Sequence, residues 1–336
     1  NHTLNQAALL LGLFAFLSQV LAFLRDRLLA HIFGASAELD IYYAAFRVPD
    51  FIFVTVASLV SLSVLIPFIV EKEAEGREVL RQFLDNIFSF FSILIILVSG
   101  LAYLLMPTIA EALFKGFTAS ALDQVIFISR ILLLSPIILG LSNLFGSLTQ
   151  TYNRFTIYAL APILYNAGII IGIILLAERL GIMGVSIGVV IGASLHALVQ
   201  VPFVIKLGLF PRFSPKLDFS LISQVAKISL PRTLALSTSS IALIFLVSFA
   251  SLMPTGSISI LSFSFNLQAV LISTIGVSYS LAAFPTLSRY FRESNFKAFL
   301  EQTATTARFI LFWSLPLSAL FIVLRAQIVR VVLGSG

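Results

Sequence analysis

Long apolar runs dominate this chain, and their length restricts what it can fold into more than any other feature of the sequence. A helix needs about 20 mostly apolar residues to cross a bilayer, and a lipid-exposed backbone is satisfied only in helices or closed barrels. The nine runs that meet this length are residues 7–33, 39–70, 83–106, 122–149, 157–177, 182–206, 221–250, 257–286 and 305–333. We therefore predict an all-α, polytopic transmembrane helix bundle with about nine spans.

Composition supports a membrane protein and excludes several functional classes. Charged residues make up only 11% of the chain and hydrophobic residues 59%, whereas a soluble domain carries about 25% charged residues. Cysteine is absent and the three histidines are scattered, so no cysteine or histidine cluster for a metal is expected. The sequence contains no GxxxxGK[ST] loop, HExxH or GxSxG motif. We predict a non-enzymatic protein without a cofactor and without its own ATPase.

The loop charges predict the orientation in the membrane. If the N-terminus is cytoplasmic, the cytoplasmic loops carry twelve Lys and Arg residues and the opposite loops two. Cytoplasmic loops are enriched in basic residues, so we predict a cytoplasmic N-terminus. The net charge of +6 lies largely in these loops and is not expected to bind nucleic acid.

One polar break divides the chain. Residues 207–220, LGLFPRFSPKLDFS, contain two prolines and a basic excess, which predicts a linker between an N-terminal lobe (1–206, spans one to six) and a partial C-terminal lobe (221–336, spans seven to nine). The sequence starts without a methionine and stops directly after an apolar run, so we expect a fragment. No cleavable signal peptide is evident.

The hairpin of residues 18–50 concentrates charge within apolar sequence, with Arg25, Asp26, Asp40 and Arg47 as its main candidates. A charge near the bilayer centre costs about 3 kcal/mol on insertion scales, and such residues normally face a bundle interior or a cavity. These residues therefore indicate an anion or phosphate site, with Asp26 aligning an arginine.

Structural interpretations of the same residues remain open. The first helix could end at Leu24, which would leave Arg25 and Asp26 at the interface. Arg47 could form a structural pair with Asp40 or Asp50. Pro49 could break the second span locally.

Other polar residues within the spans carry weaker indications. Arg130 and Arg232 are lone cations in apolar surroundings and are typical of interfacial anchors. Asn266 and Gln268 are uncharged and are typical of hydrogen bonds between packed helices.

Two segments resemble the lipid II flippase family (MurJ/MviN) of the multidrug/oligosaccharidyl-lipid/polysaccharide (MOP) exporter superfamily. SQVLAFLRDRLLAHIFGASAELDIYYAAFRVPD (18–50) is similar to the family's opening hairpin, and GSLTQTYNRFTIYALAPILYN (146–166) is similar to its stretch after span four. Weaker similarity continues through residues 276–291. The resemblance covers essentially the whole chain.

This resemblance implies a two-lobed bundle around a cationic cavity that moves lipid II, an undecaprenyl-pyrophosphate-linked precursor, from the inner to the outer leaflet of the bacterial inner membrane by alternating access. It implies a role in peptidoglycan and cell wall biogenesis, and transport driven by a coupling ion or the membrane potential. On matching positions, Arg25, Asp26, Asp40 and Arg47 are expected to bind substrate. Oligomeric state stays open.

The chain departs from the family pattern at several cavity positions. Gln19 replaces an arginine, residues 53–61 lack two arginines and a glutamate, and Asn266 falls where the family has a charged pair. Gln19 and Asn266 at these positions, together with the lone cation Arg232, are secondary candidates. The departures favour weaker pyrophosphate binding or a different ligand. The alternatives to a lipid II flippase are an exporter of another lipid-linked oligosaccharide or small molecule, and a non-transporting membrane homologue.

Overall fold

Every regular element in the described part of the chain is helical, which confirms the predicted all-α class. The computed structural model describes residues 2–334, without the side chains of residues 2–9, 62, 63, 273, 277, 281, 285, 288 and 292. The helices are α1 (His2–Phe33), α2 (Ala37–Val56), α3 (Leu62–Glu75), α4 (Arg77–Leu113), α5 (Ala119–Leu132), α6 (Leu134–Thr151), α7 (Phe155–Ile171), α8 (Ala177–Leu180), α9 (Ile182–Leu198), α10 (Val201–Lys206), α11 (Phe219–Ala250), α12 (Ser257–Leu271), α13 (Ser278–Arg292), α14 (Phe296–Val323) and α15 (Arg325–Val332). A 3₁₀ turn (Ala57–Val60) follows α2, and π-helical segments follow α7 (Gly172–Leu176) and α12 (Ile272–Val277).

The predicted spans correspond closely to the helices. Eight helical segments among the described residues are long and apolar enough to cross a membrane, and they correspond to the second to ninth predicted spans. The first predicted span lies within α1. The ninth predicted span, 305–333, begins and ends about ten residues too far along the chain, because α14 begins at Phe296 and ends at Val323. Asn295 caps that earlier start by accepting a hydrogen bond from the backbone N–H of Ala298, 3.1 Å away.

Pro49 does not break the second span, contrary to one interpretation of the sequence. Helix α2 continues through this residue to Val56. Proline has no N–H, so the carbonyl of Ala45 loses its helical partner. Ser129 Oγ on α5 donates to this carbonyl at 3.0 Å, and a neighbouring helix thereby stabilises the proline-containing helix.

Glycines allow α7 and α9 to pack closely. A Cβ on Gly168 would lie 2.3 Å from the Cα of Gly192, and one on Gly188 would lie 2.8 Å from the Cα of Gly172. Small residues spaced four apart let membrane helices approach until their backbones touch, where van der Waals packing holds them together. Gly172, the first residue of the π-helical segment after α7, is part of this close contact.

The polar segment before α11 is held against α4. Three α4 side chains accept hydrogen bonds from backbone N–H groups of this segment, at 2.6 to 2.7 Å. The pairs are Asp85 with Arg212, Ser89 with Ser214, and Asn86 with Asp218. Residues 207–218 thus form a strap along α4 that leads into α11.

Tyr152 joins α3 to the end of α6 outside the apolar spans. Its hydroxyl donates to Glu73 Oε1 at 2.5 Å. Partial burial, followed by this hydrogen bond, raises the pKa of Tyr152 to about 12. The hydroxyl therefore stays protonated and remains a donor at neutral pH.

The chain forms two compact units, Asn1–Ile258 and Ser259–Gly336. In the second unit α13 packs on α14, and the rings of Tyr279 and Phe309 stack with centroids 6.0 Å apart. The division into lobes at residues 206 and 221 stays a prediction.

Candidate functional site

Arg25 and Asp26 form an ion pair inside α1. The Nε and Nη2 atoms of Arg25 both donate to Oδ1 of Asp26, at 3.0 and 2.8 Å. The side chains are 21% and 6% exposed. Helix α1 continues to Phe33, about 12 Å beyond Arg25 at 1.5 Å per residue. The interpretation in which the helix ends at Leu24 is therefore wrong.

Asn166 on α7 completes this cluster and is not among the residues predicted to form the site. Its Oδ1 accepts from Arg25 Nη1 at 3.1 Å, and its Nδ2 donates to Ser18 Oγ at 3.3 Å and to the carbonyl of Pro162 at 3.2 Å. Asn166 is 7% exposed. It occurs in the quoted 146–166 segment, where a lone amide four residues after a proline in an apolar helix was the available signal.

Arg47 lies on α2, in the neighbourhood of this cluster. Tyr42 and Tyr43 lie near both Arg25 and Arg47. Arg47 Nε donates to the carbonyl of Tyr43 at 2.9 Å. Within the described residues its terminal nitrogens have no hydrogen-bond partner and no carboxylate lies within 4.0 Å, while Asp50 acts at longer range. The structure therefore does not contain the proposed close pairing of Arg47 with Asp40 or Asp50.

Asp40 lies apart from this cluster, at the start of α2. Its Oδ2 accepts from the backbone N–H of Gly256 at 2.6 Å, and the carboxylate is buried. Gly256 has φ +93° and a Cβ there would lie 2.5 Å from the carbonyl oxygen of Ala35, so glycine permits this close approach. Asp40 joins the α1–α2 turn to the α11–α12 turn.

The secondary candidates lie on three different helices. Gln19 is exposed on α1 and Arg232 is exposed on α11. Asn266 is half-buried on α12, in the second compact unit. Their roles in binding stay predictions.

Residues 53–61, which lack the charges of the family pattern, pack against α11. Ser58 Oγ and Thr233 Oγ1 lie 2.6 Å apart in a buried hydrogen bond, and Ser229 Oγ donates to the carbonyl of Leu59 at 3.2 Å. Val56 and Ala57 are buried nearby. Small hydroxyls and apolar side chains fill this contact.

The cluster has the chemistry of an anion site. A guanidinium fixed by two acceptors is preorganised, and arginine binds phosphate oxygens through bidentate hydrogen bonds. Arg47 adds terminal N–H donors that other described groups do not use. No group of three or more His, Asp or Glu side chains in the described residues is arranged to hold a metal ion.

Comparison of sequences relates the chain to a known protein family. The family profile described as "Lipid II flippase MurJ" matches residues 29–336. The "Probable lipid II flippase MurJ" of Buchnera aphidicola subsp. Schizaphis graminum is 27% identical over 332 residues, covering 97% of this chain and 64% of the relative. The "Lipid II flippase MurJ" of Burkholderia cenocepacia is 25% identical over 295 residues, covering 85% of this chain and 57% of the relative. The chain thus spans less than two thirds of the length of these relatives.

Comparison of structures supports the same fold. "Lipid II flippase MurJ, inward closed conformation" superposes with a TM-score of 0.81 at 24% identity, covering 98% of this chain and 68% of that one. A MATE family transporter of the MOP superfamily, in an inward-facing conformation, gives a TM-score of 0.73 at 18% identity, over 94% and 72% of the two chains. The fold is that of MOP transporters, and the profile match over residues 29–336 shows that the chain belongs to the lipid II flippase MurJ family.

Proposed function

We propose that the protein is part of a lipid II flippase, which moves the lipid-linked peptidoglycan precursor from the inner to the outer leaflet of the bacterial inner membrane. The observation that carries this proposal is the fixed guanidinium of Arg25 within an apolar helix, bonded to Asp26 and Asn166. Membership in the family supports it, because the relatives named above are lipid II flippases.

The charges of the cluster suit a pyrophosphate. Asp26 neutralises much of the charge of Arg25, so this pair acts as an oriented dipole with remaining N–H donors. Arg47 contributes net positive charge and free terminal donors. A hydrogen bond to a charged group contributes about 1.5–3 kcal/mol, so two arginines can select a pyrophosphate over a neutral lipid head group.

Transport would follow from alternating access between the two predicted lobes, 1–206 and 221–336, joined by residues 207–220, with the N-terminus in the cytoplasm. A coupling ion or the membrane potential would drive the cycle. The Asp40–Gly256 contact would close the side of the membrane to which the α1–α2 and α11–α12 turns belong.

A second candidate function is export of another lipid-linked oligosaccharide. It is favoured by residues 53–61, which lack two arginines and a glutamate of the family pattern and instead contact α11 through Ser58 and Leu59. Loss of these charges would lower the affinity for pyrophosphate relative to a neutral or monophosphate head group.

The test measures lipid II binding to the purified full-length protein carrying Arg25→Gln and Asp26→Asn together. This pair removes both charges without leaving a buried carboxylate unpaired, and the glutamine amide introduced in place of Arg25 can still donate to Asn166. We expect binding to fall about 10- to 100-fold, since 1.4 kcal/mol corresponds to a factor of ten. Undecaprenyl phosphate and an unrelated lipid-linked oligosaccharide are measured in parallel.

Arg27→Gln is the matched control, because it removes an arginine from the same helix whose side chain is exposed. It should leave lipid II binding unchanged. Equal binding by the double variant and the unmodified protein, with both folded, would rule out the Arg25 cluster as the pyrophosphate site. Preference for the unrelated oligosaccharide would favour the second function.

A further inference from the structure

An open groove of about 510 Å³ lies where α4, α5 and the start of α6 meet. Its volume falls within the range of small-molecule pockets, about 300–1,000 Å³. Several of its apolar walls are half exposed at the outer surface of the helices. Its lining includes Ile96, Ser99, Tyr103, Phe127, Arg130 and Leu134.

Arg130 forms the single charged part of the described lining of this groove. Its Nε donates to the carbonyl of Tyr103 at 3.1 Å, and its guanidinium carbon lies 4.5 Å from the centre of the Tyr103 ring. Pro107 has no N–H, so it leaves the Tyr103 carbonyl without a helical partner. Arg130 therefore has a structural role that occupies Nε and one face of the guanidinium.

That structural role leaves the terminal nitrogens of Arg130 unused. Among the residues that the structure describes, these nitrogens have neither a hydrogen-bond partner nor a carboxylate within 4.0 Å. Arg130 lies eleven residues after the first residue of α5, Ala119, or about 16 Å along the helix axis. An unpaired cation this far inside an apolar span is costly, so an anion in the groove would stabilise it.

The rest of the groove suits a lipid chain. Ile96 lies seven residues before Tyr103 on α4, about 10 Å along the axis, and the walls between them are mostly apolar. Ser99 is 4% exposed, and its Oγ has no hydrogen-bond partner among the described residues. A buried hydroxyl without a partner is costly. Ser99 lines the groove, so rotation about its Cα–Cβ bond would let an ester carbonyl accept from its hydroxyl. Gly100 leaves space, since a Cβ there meets nothing within 4 Å.

We propose that this groove binds an anionic, ester-linked glycerophospholipid of the leaflet on the side where α4 ends and α5 begins. The phosphate accepts hydrogen bonds from the terminal nitrogens of Arg130, an ester carbonyl accepts from Ser99, and an acyl chain lies along α4 past Gly100. This site is separate from the Arg25 cluster and does not depend on which substrate is transported.

The test uses native mass spectrometry of the full-length protein titrated with phosphatidylglycerol. Arg130→Gln retains a donor for the Tyr103 carbonyl and should weaken phosphatidylglycerol binding about tenfold. Gly100→Leu fills the groove while Arg130 stays in place, and should weaken it by a similar factor. Arg179→Gln removes an exposed arginine next to α9 and should leave binding unchanged.

Competitors identify the ligand. Inorganic phosphate lacks a chain and undecaprenyl phosphate lacks an ester carbonyl, so we expect neither to displace phosphatidylglycerol at equal concentration. Unchanged binding in both Arg130→Gln and Gly100→Leu would overturn the proposal. So would an equal loss in Arg179→Gln, which would indicate unspecific charge attraction, or displacement by undecaprenyl phosphate, which would indicate an isoprenoid site.

Discussion

At the level of single residues, two prolines inside membrane helices each leave a carbonyl without its helical partner, and two consecutive residues of α5 donate hydrogen bonds to these carbonyls. Pro49 in α2 and Pro107 in α4 each free the carbonyl oxygen four residues earlier. Ser129 donates to the first of these carbonyls and Arg130 to the second. Helix α5 therefore binds two adjacent helices through consecutive side chains, and both helices remain continuous through their prolines.

The first prediction concerns Ser129→Ala. Because this change leaves a buried carbonyl without a donor, we expect it to destabilise the protein by about 1–3 kcal/mol. In a Pro49→Ala background the backbone N–H of residue 49 restores the helical hydrogen bond, so the same change should cost much less. Denaturant unfolding of the four variants in detergent measures this coupling.

Ser194→Ala is the matched control for that cycle. Ser194 Oγ donates to the carbonyl of Val190 in its own helix, and that carbonyl can also accept from the backbone N–H of Ser194 because this residue is not a proline. The loss should therefore be small in either background. Equal costs of Ser129→Ala with and without Pro49 would contradict the assigned role.

Among the helices, close backbone contact joins α7 to α9. The glycines of the two helices face each other so closely that a Cβ would meet backbone atoms rather than flexible side chains. Asn166 lies on α7 and bonds Arg25 on α1. The α7–α9 contact therefore supports the helix that orients the guanidinium.

The second prediction concerns Gly188→Ala. The added Cβ would lie 2.8 Å from the Cα of Gly172 and 3.0 Å from the carbonyl oxygen of Gly168. Backbone atoms must shift to accept it, and we expect a destabilisation of about 1–3 kcal/mol, seen as a lower midpoint of thermal unfolding. Gly100→Ala, in open space, should leave the midpoint unchanged or raise it. A higher midpoint for Gly188→Ala would show that the helices are free to separate.

Across the molecule, contacts between distant segments order the chain within its first compact unit. Asp40 and Gly256 are 216 positions apart and meet through one short hydrogen bond. Nearby, a Cβ on Gly116 would lie 1.8 Å from the carbonyl oxygen of Ser251. The strap along α4 connects α10 to α11, and α11 leads to the turn that carries Gly256. Opening this side of the unit would require the α1–α2 and α11–α12 turns to separate.

The third prediction tests that closure through Asp40→Asn. The amide keeps the shape but loses the charge-assisted hydrogen bond to Gly256, which is roughly twice as strong as a neutral one. We expect the closed form to lose about 1 kcal/mol, or about a fivefold gain in open molecules. Because the sequence contains no cysteine, a Ser251→Cys reporter, which lines the adjacent cavity and is buried in this structure, can be labelled with a membrane-impermeant thiol reagent only after this side opens.

Labelling of the reporter should rise about fivefold in Asp40→Asn. Asp123→Asn removes an exposed carboxylate from the start of α5 and should not change labelling. If both variants label at the rate of the unmodified reporter, the carboxylate of Asp40 does not hold this face closed.

The class of the fold and the charged candidates follow from the sequence without any structure. Run length predicts the number and order of the spans, although not the bounds of the ninth, because a bilayer requires about 20 apolar residues per span and the backbone must be satisfied within each helix. The cost of burying charge makes Arg25 and Asp26 candidates before any contact is known.

The partners of these residues across helices follow only from how the helices pack. Asn166 meets Arg25 from 141 positions away, and Asp40 lies apart from the arginines and binds Gly256. Hydropathy measures how apolar a helix is, but most faces of these helices are apolar towards both lipid and protein. Which face meets which neighbour depends on steric fit, as in the glycine contact of α7 and α9, and on polar groups that find partners when the helices pack.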